Sequence, residues 1–476
     1  MFIRIIKTEW RNLFAERSFI LLTLAFAVLL GYGVWSGSSW IAERKSESQQ
    51  LLDKQASDLA ERRTKTAQGF KGSTEPYEPD PSDPYSIGMS LQYASLPFSP
   101  AAAFSIGQAD VLPLDAGVTV STLQRTKADK GGFENPLSFL PGRFDLSFII
   151  VYLLPLFVLA LSFNILSGER ERGTLRLLLS QPLKLRSLLT AKTIALFVLI
   201  SAVVLAVSLV GVLLTVGDFS TDFWIRSALW VLLVLAYSAF WFGLAIFVNS
   251  LGYSSATNAV VCAASWLVLV LILPSLLNVA ISSAYPVPSR SELISAVRSV
   301  NLDMRRDGSR ILAEHYQDHP ELMPKDGKTD LEDFGLAFVL VQREQKQRVD
   351  AVEARFAEQL ANQQSLIRSF RFISPSVIAQ EASNDIAGTG LSRYQHFRAQ
   401  VKQFDTAWAD FFVPRIFKKE NLIAQDFDSI PRFIWSEEPK DSVVMRAGVG
   451  ILYLILISAV LLIVAFRKLG NYRLEK

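Results

Sequence analysis

The chain alternates between long apolar runs and long polar ones. Six runs of about twenty or more mainly apolar residues stand out: Phe19–Trp40, Leu146–Leu166, Leu188–Val216, Phe223–Val248, Ala256–Ile281 and Val443–Phe466. A helix rising about 1.5 Å per residue needs roughly 20 residues to cross a hydrocarbon core of ~30 Å, so each run predicts one membrane span. Lipid offers no partner to an unbonded amide, which leaves helices as the crossing structure. The expected fold class is an all-α polytopic membrane protein with six transmembrane helices.

The polar runs are patterned too. In MFIRIIKTEWRNLFAERS, Phe2, Ile3, Ile6, Trp10, Leu13 and Phe14 share one helical face, while Arg4, Lys7 and Arg11 share another. This predicts an amphipathic helix in the membrane interface, with Trp10 at headgroup depth and the cations toward phosphates. After the first span, ERKSESQQLLDKQASDLAERRTKTAQ has no Gly or Pro and predicts a polar continuation of the same helix. TEPYEPDPSDPY then predicts an extended linker, and VLPLDAGVTVSTL one or two strands. In the second long polar segment, Ser289 and Glu292 have capping-box spacing. A long helix is expected from about Leu331 to Phe370, its stripe of Val349, Val352, Phe356, Leu360, Ile367 and Phe370 serving helix packing. The outer domain should thus be mainly helical with a few short strands.

Charge sets the orientation. Net charge is only +3 over 476 residues, which suggests no nucleic-acid partner. Basic residues gather before the first span, between the second and third (Arg170, Arg172, Arg176, Lys184, Arg186), and after the last (Arg467, Lys468, Arg473, Lys476). The positive-inside rule makes those segments cytoplasmic. The expected division is an interfacial helix 1–17, spans 18–41, 145–167, 188–216, 223–248, 256–281 and 443–466, extracytoplasmic segments 42–144 and 282–442, a cytoplasmic helix 168–187 and a basic tail 467–476. The location implied is the inner (cytoplasmic) membrane, multi-pass, with both termini inside. The first run is too long for a signal-peptide core and is read as retained. The single cysteine, Cys262, falls within the fifth span, so no disulfide braces the exterior.

Chemistry is sparse. Lys192 and Arg226 are the ionisable groups near span ends and are expected to snorkel. A carrier driven by protons or sodium needs buried carboxylates or histidines at membrane depth, which the spans lack. No GxxxxGK[ST] phosphate loop occurs, and GTGLSRY (Gly388–Tyr394) lacks its lysine, so the chain is not expected to be an enzyme or to bind a nucleotide cofactor. His315 and His319 are one helical turn apart, but Pro320 follows at once and no cysteine is near; an exposed pair and no metal site is expected. The energy should come from a partner.

The segment SGERERGTLRLLLSQPLKLR (Ser167–Arg186) offers a place for it. Gly173 and Thr174 should break the second span, with Thr174 capping a short helix. That helix would carry Leu175, Leu178 and Leu179 on one face and stop at Pro182. The order ERERGTL, LLxxP, then Arg186 and Lys192 resembles the coupling-helix region of ABC-2-type transporter permeases, a family that often has glycine where this chain has Ala191. The resemblance implies that Glu169, Arg170, Glu171, Gly173, Thr174, Leu175, Leu178, Pro182 and Arg186 dock a separate ATPase subunit. It implies two ATPase copies carrying ATP and Mg, a second permease chain as homo- or heterodimer, and contact with membrane lipid. Pro274 in the fifth span allows either a broken helix, as a candidate outer gate, or a simple structural kink. GQADVLP, NPLSFLPGRFD and SPSVIAQEASNDIAGTGLSRYQHF resemble a subgroup with large outer domains, related to gliding-motility and copper-enzyme-maturation permeases. The function implied is ATP-driven export of a hydrophobic or amphiphilic substrate. The alternatives are an importer component, or mechanotransmission to an extracytoplasmic partner without transport.

Overall fold

The computed structural model describes residues 2–74, 77–120, 143–175, 185–215, 219–284 and 369–470, with stretches at 294–300 and 344–352 and isolated positions between 292 and 366. Helix α1 (Phe2–Ala15) is followed by α2 (Arg17–Ala67), a single helix of 51 residues. At 1.5 Å per residue α2 is about 76 Å long, so the first span and its polar extension form one rod. Two short antiparallel ribbons follow: β1 (Ser73–Thr74) with β2 (Tyr77–Glu78), and, after a one-turn helix α3 (Pro84–Gly88), β3 (Gln92–Ser95) with β4 (Asp115–Val118), Tyr93 opposite Gly117. Strand β4 falls inside the stretch expected to form strands. The linker expectation needs one correction: its last residues, Pro84 and Tyr85, open α3. The Asp83 carboxylate accepts the amides of Tyr85 and Ser86, and proline at the first helical position sacrifices no bond.

The remaining helices are α4 (Leu146–Glu171), α5 (Leu185–Leu213), α6 (Thr221–Asn249), α7 (Ser255–Ala284), α8 (Pro375–Ala387), α9 (Leu391–Lys418) and α10 (Lys440–Gly470). Six of them, α2, α4, α5, α6, α7 and α10, are long and apolar enough to cross a membrane. Helix α6 is the centre of the bundle, with Trp230, Tyr237 and Trp241 fully buried. The starts of α6 and α7 are fixed by Ser220 and Ser254, whose hydroxyls accept the amides of Phe223 and Thr257.

Two spans are locally widened, and for the same reason. Residues Ile149–Leu153 of α4 and Leu267–Ile272 of α7 form π-turns, each just ahead of a proline, Pro155 and Pro274. A proline nitrogen has no hydrogen to give and its ring crowds the preceding turn, so the helix opens. The Tyr237 hydroxyl donates to the carbonyl of Val151, four residues before Pro155, at 2.7 Å.

Outside the bundle, α9 packs on α3, β3 and β4 around Ile87, Val118, Phe397, Phe404, Trp408 and Phe412, so two segments remote in sequence build one polar domain. Helix α8 departs from expectation. It belongs to the segment 282–442, read as wholly external, yet Ile378, Ala379, Ala382 and Ile386 lie in the same apolar core as the spans. Of the long helix expected near Leu331–Phe370, residues 344–352 are described and helical. Phe356, Leu360, Ile367, Ser289, His315 and His319 lie outside the described residues.

Candidate functional site

The two ends of the bundle carry its polar chemistry. At the end that holds α1, helix α4 runs past the apolar Leu166 into Ser167–Glu171 and stops at Gly173, whose φ of +75° suits glycine and ends the helix. The Thr174 hydroxyl turns back to Glu169. Lys192 of α5 lies between two carboxylates, Glu169 at 2.7 Å and Glu9 of α1 at 2.9 Å. Partial burial acts to raise the Glu169 pKa; hydrogen bonds from Lys192 and Thr174 outweigh it and hold the carboxyl below its ordinary value. Arg170 donates to the carbonyls of Gly252 and Tyr253 at 2.6 and 2.8 Å, and Glu171 accepts the Ser255 amide at 2.7 Å. The charged block is therefore fastened to α1, to α5 and to the turn between α6 and α7.

Several of these residues have partners within the chain. Leu175 is buried with Leu166, Leu188, Ile246 and Leu469, so it anchors the block to the bundle. Arg170 and Glu171 serve the Asn249–Ser255 turn. Arg186 lies against Gly470 at the end of α10, where even a methyl group would meet its guanidinium. Leu178 and Pro182 lie outside the described residues. On α1, Arg4, Lys7, Arg11 and Phe14 are exposed. Trp10 is half-buried and donates to the Ala195 carbonyl of α5 at 2.9 Å, which fastens the helix to the bundle as well as to any interface.

The sequence reading missed two asparagines. Helix α4 loosens into a turn at residues 163–166. Asn249 donates to the Ser162 and Ala245 carbonyls and accepts the Leu166 amide, and Asn258 donates to the Phe163 carbonyl and the Ser167 hydroxyl. Both are buried. Asparagine in an otherwise apolar run was the available signal, since a buried amide needs partners.

The opposite end is built around α8. Its first turn lies halfway along α7: the hydroxyls of Ser374 and Ser376 donate to the carbonyl of Leu269, at 2.8 and 3.1 Å. Leu269 is five residues before Pro274, and in a π-turn that carbonyl would await the amide hydrogen proline lacks. The candidate gate is thus a widened turn whose Leu269 carbonyl is taken up by two serine hydroxyls in this conformation. Irregular backbone at such depth requires protein partners, and α8 supplies them.

The last turn of α8 receives Arg226. This residue was expected to snorkel; it is instead 1% exposed, because Asp222 holds it at 2.7 Å and the carbonyls of Asp385 and Ile386 accept its other donors at 3.1 and 2.9 Å. Arg446 of α10 bridges Asp385 and Glu438. Arg393 forms a two-pronged pair with Glu437; burial acts to raise the Glu437 pKa, and the guanidinium holds it below the usual carboxylate range.

Described residues of the three segments behind the subgroup resemblance meet here. Asn384 accepts the Ser105 hydroxyl at 2.9 Å, and a side chain at Gly107 (φ +51°) would strike it. Asp145 accepts the amides of Ile106 and Phe148, both at 2.7 Å, capping α4 and tying it to that loop. No group of three or more metal-ligating side chains occurs among the described residues.

Residues 290–436 match the family model DUF3526, a domain of unknown function; they cover α8, α9 and the chain leading to α10. No curated protein matches the chain.

Proposed function

We propose that this chain is the membrane-spanning permease subunit of an ATP-driven ABC transporter. Its α1 end faces the cytoplasm and meets a pair of ATPase chains, and its polar domain lies outside an inner membrane. The observation that carries this reading is the fastening of the Glu169–Glu171 block to α1, α5 and the α6–α7 turn together. A push on the block reaches four elements of the bundle at once. This chain performs no bond chemistry in the proposal: ATP and Mg act on the partner, and the bundle converts the stroke into displacement. The strongly apolar spans favour a hydrophobic or amphiphilic substrate, passed outward at the contact between two permease chains.

A second reading is favoured by a specific observation. The 51-residue α2 runs unbroken from the bundle into the polar domain and α8 packs into the bundle core, which suits a stroke relayed to an external partner without transport.

The test is co-purification from native membranes, read for a nucleotide-binding chain. Because Glu171 also holds the Ser255 amide, two variants are needed: Glu171→Lys, and Glu171→Gln, which keeps an oxygen for that amide. Association should fall in both. Undiminished association in both removes the docking role from this block. A complex that hydrolyses ATP in vesicles while moving no labelled amphiphile would select the transmission reading.

A further inference from the structure

A groove of about 610 Å³ opens in the polar domain between the outer half of α2 and the chain that leads to α10. One wall is aliphatic, with Leu52, Ala56 and Leu59 at helical spacing; the other is Phe433 and Trp435; Gln92 and Tyr93 of β3 lie between them. Its size is that of a ligand site, a few hundred to about a thousand cubic ångströms.

Two observations specify what fits. First, residues Pro431–Trp435 run without helix or strand partner, Pro431, Phe433 and Trp435 half-buried, Arg432 and Ile434 exposed, the last at 84%. That period of two is a strand's, and no backbone bond of Phe433 or Trp435 occurs among the described residues. Second, Arg63 and Arg432 stand on the rim; Arg63 is paired with Asp428, and no carboxylate is paired with Arg432 among the described residues.

We infer that this groove receives an extended peptide segment of a partner protein, apolar at alternate positions and acidic at those between. The segment adds as a strand to the Pro431–Trp435 edge, the recognition mode open to any unpaired strand. Its apolar side chains meet Leu52, Leu59 and Phe433, and its carboxylates meet Arg432. A lipid chain would satisfy the apolar wall but not the open edge or Arg432. The inference does not depend on an ATPase.

The test uses full-length protein in lipid nanodiscs and a fluorescein-labelled nonapeptide alternating leucine and glutamate, read by anisotropy against empty nanodiscs. Saturable binding is expected. It should weaken about tenfold with Arg432→Glu, a reversal on an exposed side chain, and vanish when alternate peptide amides are N-methylated. Absence of saturable binding at millimolar peptide, equal binding of a lysine-for-glutamate peptide, or equal binding of the N-methylated peptide each overturns the inference.

Discussion

The two ends of the bundle use the same ingredients to different effect. At the α1 end, Lys192 holds Glu9 and Glu169 near the surface, each side chain about one-sixth exposed. At the polar-domain end, Arg226 is enclosed and spends its donors on a carboxylate and on the last carbonyls of α8. A largely buried pair that still reaches water keeps part of its hydration and gains a moderate attraction. An enclosed guanidinium is costly to bury and far costlier to leave half-paired. The α1 end is therefore the less tightly enclosed of the two, and the α8 end the more.

Arg226→Met is expected to produce the largest effect. It strands Asp222 and two helix-end carbonyls, and breaking such a buried set costs about 3–5 kcal/mol. Thermal unfolding in nanodiscs should show a large drop, and Arg226→Lys, which lacks the fork, should recover only part of it. If both variants unfold like the parent protein, the holding role of this end is wrong.

Next come the proline turns. Tyr237→Phe removes the donor to the Val151 carbonyl, a loss of about 1–3 kcal/mol for a buried acceptor left bare. In a Pro155→Ala background the helix can satisfy that carbonyl itself, so the same substitution should cost much less. An equal cost in both backgrounds would contradict the explanation of the widened turn. Replacing Ser374 and Ser376 together by alanine should cost a similar 1–3 kcal/mol and loosen α8 from α7, seen as faster amide exchange in Pro375–Ala387.

The smallest effect belongs to the α1 end. Lys192→Met takes the cation from two largely buried carboxylates and should lower global stability by about 1–2 kcal/mol. It should also speed amide exchange in α1. Acid should do the same: the folded Glu169 carboxyl lies below its usual value of 4.5. Its tie is complete above that pH and is lost as pH falls below it. Exchange in α1 that ignores both acid and the substitution would remove Lys192 from its bridging role.

Much of this architecture was legible. Each apolar run became a helix because hydrophobic length alone decides a span, and Gly173 ended α4 because only glycine sits easily at positive φ. Helix α8 was not legible. SPSVIAQEASNDIA reads as a polar surface helix, since its Ser, Gln, Asn and Asp look solvated until Leu269, Ser105 and Arg226 are brought to them. The ERERGTL block was found for its charge, but that charge turned out to be committed to internal ties. Residue type announces that a group needs a partner and is silent on which segment supplies it; α8 and Asn249 find theirs across about 80 to 280 positions of sequence.

The central claim is that motion entering at Glu169–Glu171 reaches the polar domain through α8. Amide exchange in Pro375–Ala387 tests it most directly, in a complex assembled with the proposed ATPase chains, without nucleotide and with a non-hydrolysable ATP analogue. A change in exchange along α8 that disappears in a complex carrying Arg226→Lys is the predicted result. Identical exchange in the two states, with the analogue demonstrably bound, would contradict it.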